Sequence, residues 1–169
     1  MIFDRASIVR NTVTGKIADI GCSIGGMFGE RATNVDRCSI EQLRNESKNP
    51  NLVIPNFVHA EAEKLPFKDQ EYDWAVLGDM LEHVDDPLVV LDEAQRIAKN
   101  VVITVPNEYE WASYNEPFGN SDHRRWFTEQ SFFKLLRDSG LVVVEYIKLN
   151  YAGWAYFIAI GVSKNAEKT

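Results

Sequence analysis

Residues 17–26 read Ile17-Ala18-Asp19-Ile20-Gly21-Cys22-Ser23-Ile24-Gly25-Gly26, a short apolar run that passes directly into a turn of small residues. Such a run has the character of a buried strand, and the glycines mark where the strand stops. Because glycine has no Cβ, backbone N–H groups in the turn can approach a ligand closely and the chain can take positive φ before a helix begins. The stretch therefore reads as a strand followed by a cofactor-holding turn. Several nucleotide-binding folds share that arrangement, and an ordinary tight strand-to-helix turn has the same composition, so the cofactor must be named from elsewhere.

Outward from this turn, runs of the buried-strand type recur at Lys16–Ile20, Thr33–Asp36, Asn56–Ala60, Tyr72–Leu77 and Val101–Val105, with helical spacing between them. The spacing predicts a helix over Pro87–Lys99, capped by Asp85 or Asp86, with Leu88, Leu91, Ala94 and Ile97 or Ala98 on one apolar face. A second helix is predicted over Thr128–Ser139, with Thr128 as its N-cap, Phe132, Phe133, Leu135 and Leu136 inward, and Gly140 as its stop. Strand and helix in alternation imply an α/β fold with a parallel sheet covered on both faces. The end of the chain breaks the rhythm. Leu141–Leu149 and Trp154–Val162 are separated by Asn150, Tyr151, Ala152 and Gly153 alone, which allows an antiparallel hairpin but no parallel crossover. That ending disfavours a plain dinucleotide-binding fold.

The 169 residues, 45% of them hydrophobic, suit a single domain spanning residues 1–169. A net charge of −7 argues against tight non-specific binding to nucleic acid or anionic membranes, and only His123, Arg124, Arg125, Lys134 and Arg137 offer a local basic patch. Cys22 and Cys38 have neither metal-ligand nor redox spacing, and neither a signal-peptide core nor a membrane span is expected. The expected setting is the cytoplasm, with reduced thiols.

Asp36 closes the second strand, where an acidic side chain in such folds accepts hydrogen bonds from ribose hydroxyls; a helix cap or exposed turn residue is the other reading. Glu61-Ala62 follows the third strand, and Gly78-Asp79-Met80-Leu81-Glu82-His83 follows the fourth. With these motifs in place the chain resembles a class I S-adenosylmethionine-dependent methyltransferase, of the broad group that includes ubiquinone-biosynthesis O-methyltransferases. The likeness covers about residues 17–163. The family pattern D-x-G-C-G-x-G is matched by Asp19, Gly21, Cys22 and Gly25, with Ser23 where the middle glycine is usual. The resemblance implies a Rossmann-like seven-stranded, mostly parallel sheet with helices on both faces and a C-terminal antiparallel hairpin. It also implies S-adenosylmethionine as cofactor, with Asp36 on the ribose, Glu61 and Ala62 beside the adenine, and Asp79 and Met80 near the methionine moiety.

Methyl transfer from a sulfonium is a displacement in which positioning the acceptor supplies much of the catalysis. A hydroxyl acceptor must lose a proton, for which a histidine is suited near neutral pH. His59 reads as structural, which leaves His83 and His123 as the catalytic candidates. No N-P-P-Y or D-P-P-Y sequence follows the fourth strand, so oxygen is preferred over nitrogen as the acceptor atom. The stretch from Pro106 to Phe127 carries Tyr109, Trp111, Tyr114, Phe118, Trp126 and Phe127 and reads as the acceptor loop, with Arg124 or Arg125 available to an anion. The same rings can equally pack the loop onto the sheet. Asp79, Glu82, His83 and His123 are similar to the magnesium-binding set of small-RNA 2′-O-methyltransferases, but Glu-His also occurs here in relatives without a metal, and no metal ligand is assigned. About fifteen residues precede the first strand, which suggests an open pocket for a macromolecule or glycan, or a pocket completed by a homodimer or partner subunit. A non-catalytic cofactor-binding or partner subunit is the alternative reading, and a nicotinamide-dependent oxidoreductase is a further one.

Overall fold

A computed structural model describes residues 4–110, 120–151 and 154–166. The opening run forms β1 (Ile17–Ile20), buried along its whole length, and it is flanked on both sides by parallel strands. These are β2 (Ala32–Asp36) and β4 (Tyr72–Gly78), while β3 (Phe57–His59) extends the sheet beyond β2. On the other side β5 (Ala98–Pro106) pairs in parallel with β4. The last two strands, β6 (Val142–Tyr151) and β7 (Trp154–Val162), form the expected hairpin, and β7 inserts antiparallel against β5. The sheet order is β3-β2-β1-β4-β5-β7-β6, so β7 alone runs against the rest and the expected seven-stranded architecture is observed.

Each sheet face is closed by helices. Alternation along β5 sends Val101, Ile103 and Val105 to one face and Val102 to the other. The first face packs against α3 (Pro87–Ile97) through Leu91 and Ala94, and against α4 (Glu129–Ser139) through Phe132, Leu135 and Leu136. The second is covered by Val9 in α1 (Arg5–Thr12), with Val13 just beyond its end. Leu43 of α2 (Ile40–Glu46) forms a smaller cluster with Cys22 and Ile54. Capping follows the sequence expectations: Asp86 accepts the Leu88 N–H at 3.0 Å with Pro87 in the first turn, and Thr128 accepts the Ser131 N–H at 3.1 Å. Gly140 ends α4 in the left-handed conformation.

Three local expectations are corrected. The helix over Pro87–Lys99 stops at Ile97, because Ala98 is already extended as the first residue of β5 and paired with Tyr72 of β4, leaving no connecting loop. Phe133 is 42% exposed rather than inward; its ring lies 4.6 Å from that of Tyr146 instead of in the core. The first hairpin strand begins one residue later than expected, at Val142, and runs two residues further, to Tyr151 paired with Trp154, while the second has the expected bounds. Ala152 and Gly153 lie outside the described residues.

The topology decides where a ligand can bind. The chain leaves β1 in one direction, toward β2 and β3, and resumes at β4 on the opposite side of β1. At such a reversal the loops after the two central strands diverge and leave a crevice at their carboxyl ends. Gly21 follows β1 and Asp79 follows β4, so both stand at that crevice.

Candidate functional site

The turn after β1 is held by backbone and carboxylate together. Val35 O accepts from the N–H groups of Gly21 and Cys22 at 2.8 and 3.0 Å, tying the turn to β2. Asp19 is 3% exposed, and its Oδ2 accepts the Met27 N–H at 2.5 Å, which folds the turn back over the strand. Burial pushes the Asp19 carboxyl up to about 6, against the opposing effects of the Met27 N–H and Arg5. Gly26 sits at φ +61 against the fully buried Asn34 side chain, into which a Cβ would protrude. Asn34 cannot yield, because its Nδ2 donates to Pro55 O at 2.7 Å and Gly29 O at 2.9 Å.

Ser23 has φ +50, in the left-handed region that favours glycine, which explains why glycine is usual at this place. The strain is held by a hydrogen bond, since its N–H donates to Asp36 Oδ2 at 2.8 Å while Asp36 Oδ1 accepts from the Cys38 N–H at 2.8 Å. The Asp36 carboxylate is thereby fixed at the crevice.

A cavity of about 780 Å³ opens there, lined by Gly21, Ser23, Asp36, Glu61, Ala62, Asp79, Met80 and His83 among others. These residues come from the ends of four successive strands and the loops after them. The other sequence-predicted residues do not line this wall. Asp19 supports the turn, Cys22 is buried beside Leu43 and Ile54 with its thiol pushed up to about 12 mainly by burial, and Gly25 does not line the cavity. His123 stands behind His83, the two rings meeting edge to face with centroids 4.7 Å apart. His59 belongs to β3, and its Nε2 bonds Arg37 O at 2.8 Å.

One end of the cavity carries a dense polar cluster. Asp79 takes φ +51, and its carboxylate accepts from Thr104 Oγ1 at 2.7 Å and pairs with Arg5 Nη1 at 2.8 Å. Burial raises the Asp79 carboxyl, and Arg5 opposes the rise. Glu82 is 1% exposed, and burial, reinforced by Asp79, pushes its carboxyl up to about 8. His83 is pulled down by burial, while its Nδ1 contacts Asp122 O at 3.1 Å. The Nδ1 of His123 bonds the buried Glu108 carboxylate. Arg5, Thr104 and Glu108 were not singled out by the sequence. Glu108 had a usable signal, because Asn107-Glu108 immediately follows β5 at the ligand-binding edge; Arg5 had none, since α1 is too short for a clear apolar period.

The proposed anion-binding arginines are otherwise engaged. Arg125 donates to the carbonyls of Leu81, Val84 and Asp85 at 2.6 to 2.8 Å, bracing the loop that carries Glu82 and His83. Arg124 lines the cavity and pairs there with Asp85, while Lys134 and Arg137 share the one carboxylate of Asp138, so the basic patch is neutralised only in part. Of the loop aromatics, Phe127 is core, while Tyr109 and Trp126 are exposed. Trp111, Tyr114 and Phe118 lie outside the described residues. No helix among the described residues is long and apolar enough to cross a membrane.

The family model described as a methyltransferase domain matches residues 4–146. A demethylmenaquinone methyltransferase of Bacillus cereus is 29% identical over 87 residues, which is 52% of this chain and 34% of that protein. The match thus spans about a third of the length of such curated relatives. Among solved structures, a SAM-dependent methyltransferase from Aquifex aeolicus superposes with TM-score 0.70 at 17% identity, covering 95% of this chain and 90% of the other. Magnesium protoporphyrin IX methyltransferase from Synechocystis, solved with bound SAH, gives TM-score 0.66 at 15% identity, covering 94% and 80%.

Proposed function

From the premise that the chain belongs to this methyltransferase-domain family, we propose that it transfers a methyl group from S-adenosylmethionine to a hydroxyl acceptor. The observation that carries the reading is the single cavity whose wall brings together the glycine turn, Asp36, Glu61-Ala62 and Asp79-Met80. Its volume suits a nucleoside-sized ligand, the turn presents little side-chain bulk, and the fixed Asp36 carboxylate offers acceptors for two vicinal hydroxyls. When bound, the cofactor supplies an electrophilic methyl carbon on a sulfonium. With it bound, an acceptor hydroxyl attacking that carbon would displace the sulfur as the neutral thioether and would have to give up its proton, and an imidazole of this chain would take it. His83 faces the cavity and burial favours its neutral form, so it is the proton acceptor in this reading. Glu108 orients the His123 ring that backs it.

Calorimetric titration with S-adenosylmethionine, S-adenosylhomocysteine and NAD tests the cofactor: both sulfur compounds bind and NAD does not, and the opposite pattern overturns the reading. Transfer of labelled methyl into a host lysate, separated into macromolecular and small-molecule fractions and run beside demethylmenaquinone, tests the acceptor. Label on a hydroxyl supports the proposal, and label confined to nitrogen overturns its choice of atom. No labelled product in any arm favours the non-catalytic alternative.

A further inference from the structure

Glu82 is the least satisfied polar group at this end of the cavity. Its side chain is 1% exposed, and neither carboxylate oxygen has a hydrogen-bond partner among the described residues. Buried carboxylates are normally paired, because an uncompensated ionised one costs several kcal/mol. The surrounding charge does not supply a direct partner. Asp79 and Glu108 add negative charge, Arg5 is bound to Asp79, and Arg125 is spent on backbone carbonyls. A proton on Glu82 would remove the charge but leave its O–H without an acceptor.

Two imidazoles complete the setting. His83 has its Nδ1 against Asp122 O, and His123 has its Nδ1 against Glu108, so each ring keeps Nε2 as its remaining donor atom. One ligand atom from each of Glu82, His83 and His123 falls within 4.8 Å of the others. Metal–nitrogen and metal–oxygen bonds of about 2.0–2.2 Å require ligand atoms about 3–4 Å apart, which modest side-chain rotation from this spacing achieves. The Glu108–His123 contact supplies the carboxylate support that fixes tautomer and ring direction in imidazole-ligated sites.

We propose that Glu82, His83 and His123 bind one divalent transition-metal ion of the zinc class. Two nitrogens and one carboxylate favour such ions over magnesium or calcium, which prefer all-oxygen shells. Asp79 is not a ligand, because Arg5 and Thr104 hold its carboxylate. The ion gives Glu82 its missing partner. Its consequence for catalysis rests on the methyl-transfer reading: an acceptor hydroxyl reaching the ion would be acidified, and His83, as a ligand, would no longer be the free base.

The test needs neither cofactor nor acceptor. Protein stripped with chelator is titrated calorimetrically with Zn²⁺, Mn²⁺, Mg²⁺ and Ca²⁺ alone, and Co²⁺ absorption reports the coordination. The expected result is one Zn²⁺ per chain, bound more tightly than Mn²⁺, Mg²⁺ or Ca²⁺ and weakened more than about 100-fold by Glu82→Gln or His83→Gln and about 10–100-fold by Glu108→Gln. Thermal unfolding verifies that each variant is folded, and His83→Gln, on a half-buried ring, stands in should Glu82→Gln not fold. Absence of saturable binding, binding unchanged in the folded variants, or preference for Mg²⁺ would overturn the proposal. None of these results bears on cofactor binding, so this inference and the methyl-transfer reading fail separately.

Discussion

Single side chains carry the tension of this site, and Asp19 is the clearest case because its carboxylate is both structural and poorly solvated. Burial raises its folded-state value to about 6, whereas the unfolded chain releases the proton near 3.8. An acid whose folded value lies above its unfolded one makes folding less favourable as pH rises between the two. Asp19 therefore adds stability below about pH 4 that is lost by about pH 6, on the order of 3 kcal/mol in total. An amide in its place, as in Asp19→Asn, would keep an oxygen for the Met27 N–H and have no proton to release. The stability of Asp19→Asn relative to wild type, from urea unfolding, is accordingly expected to rise across this window and then level off. A pH-independent difference would mean that the carboxylate is already solvated in the folded state.

At the level of elements, the turn between β1 and β2 discriminates between neighbouring glycines. Gly26 lies at φ +61 against the immobile Asn34, whereas a Cβ on Gly25 meets nothing within 4 Å. Gly26→Ala is expected to destabilise by about 2–4 kcal/mol through strain and overpacking, while Gly25→Ala changes unfolding by less than about 0.5 kcal/mol. Equal losses in thermal melts would refute this account of the turn. The same segment shows what a sequence makes legible. The small residues announced a turn, the apolar runs announced the strands, and the short link after Leu149 announced the antiparallel ending, because each is a local constraint. The end of α3 was less legible: Ala98 and Lys99 have good helix propensity, and only pairing with β4 makes Ala98 a strand residue. The polar cluster was legible only in part. His83 and His123 stood out as rare residue types, but the burial of Glu82 and the reach of Arg5 across 74 positions to Asp79 are tertiary facts.

For the molecule as a whole, the cavity spans the loops after β1, β2, β3 and β4, so a ligand filling it couples elements that are otherwise joined mainly through the sheet. Binding to the folded state alone stabilises by about 2.7 kcal/mol at a hundred times the dissociation constant. For a chain of 169 residues this corresponds to a rise in Tm of roughly 5–10 °C. S-adenosylhomocysteine at that concentration is expected to give this rise, and NAD at the same concentration none. Asp36→Ala removes the fixed carboxylate and, with it, about two charge-assisted hydrogen bonds to the ribose, so affinity should fall by about 100-fold or more. At an unchanged ligand concentration the rise then shrinks to about 2 °C or less, because the ligand no longer exceeds the new dissociation constant. Apo Asp36→Ala must be melted alongside, since losing the Ser23 and Cys38 contacts lowers the starting Tm, and the ligand-induced increment is the quantity that reports binding. An increment equal to that of wild type would take Asp36 out of the cofactor site and leave its carboxylate with the turn of Ser23 alone.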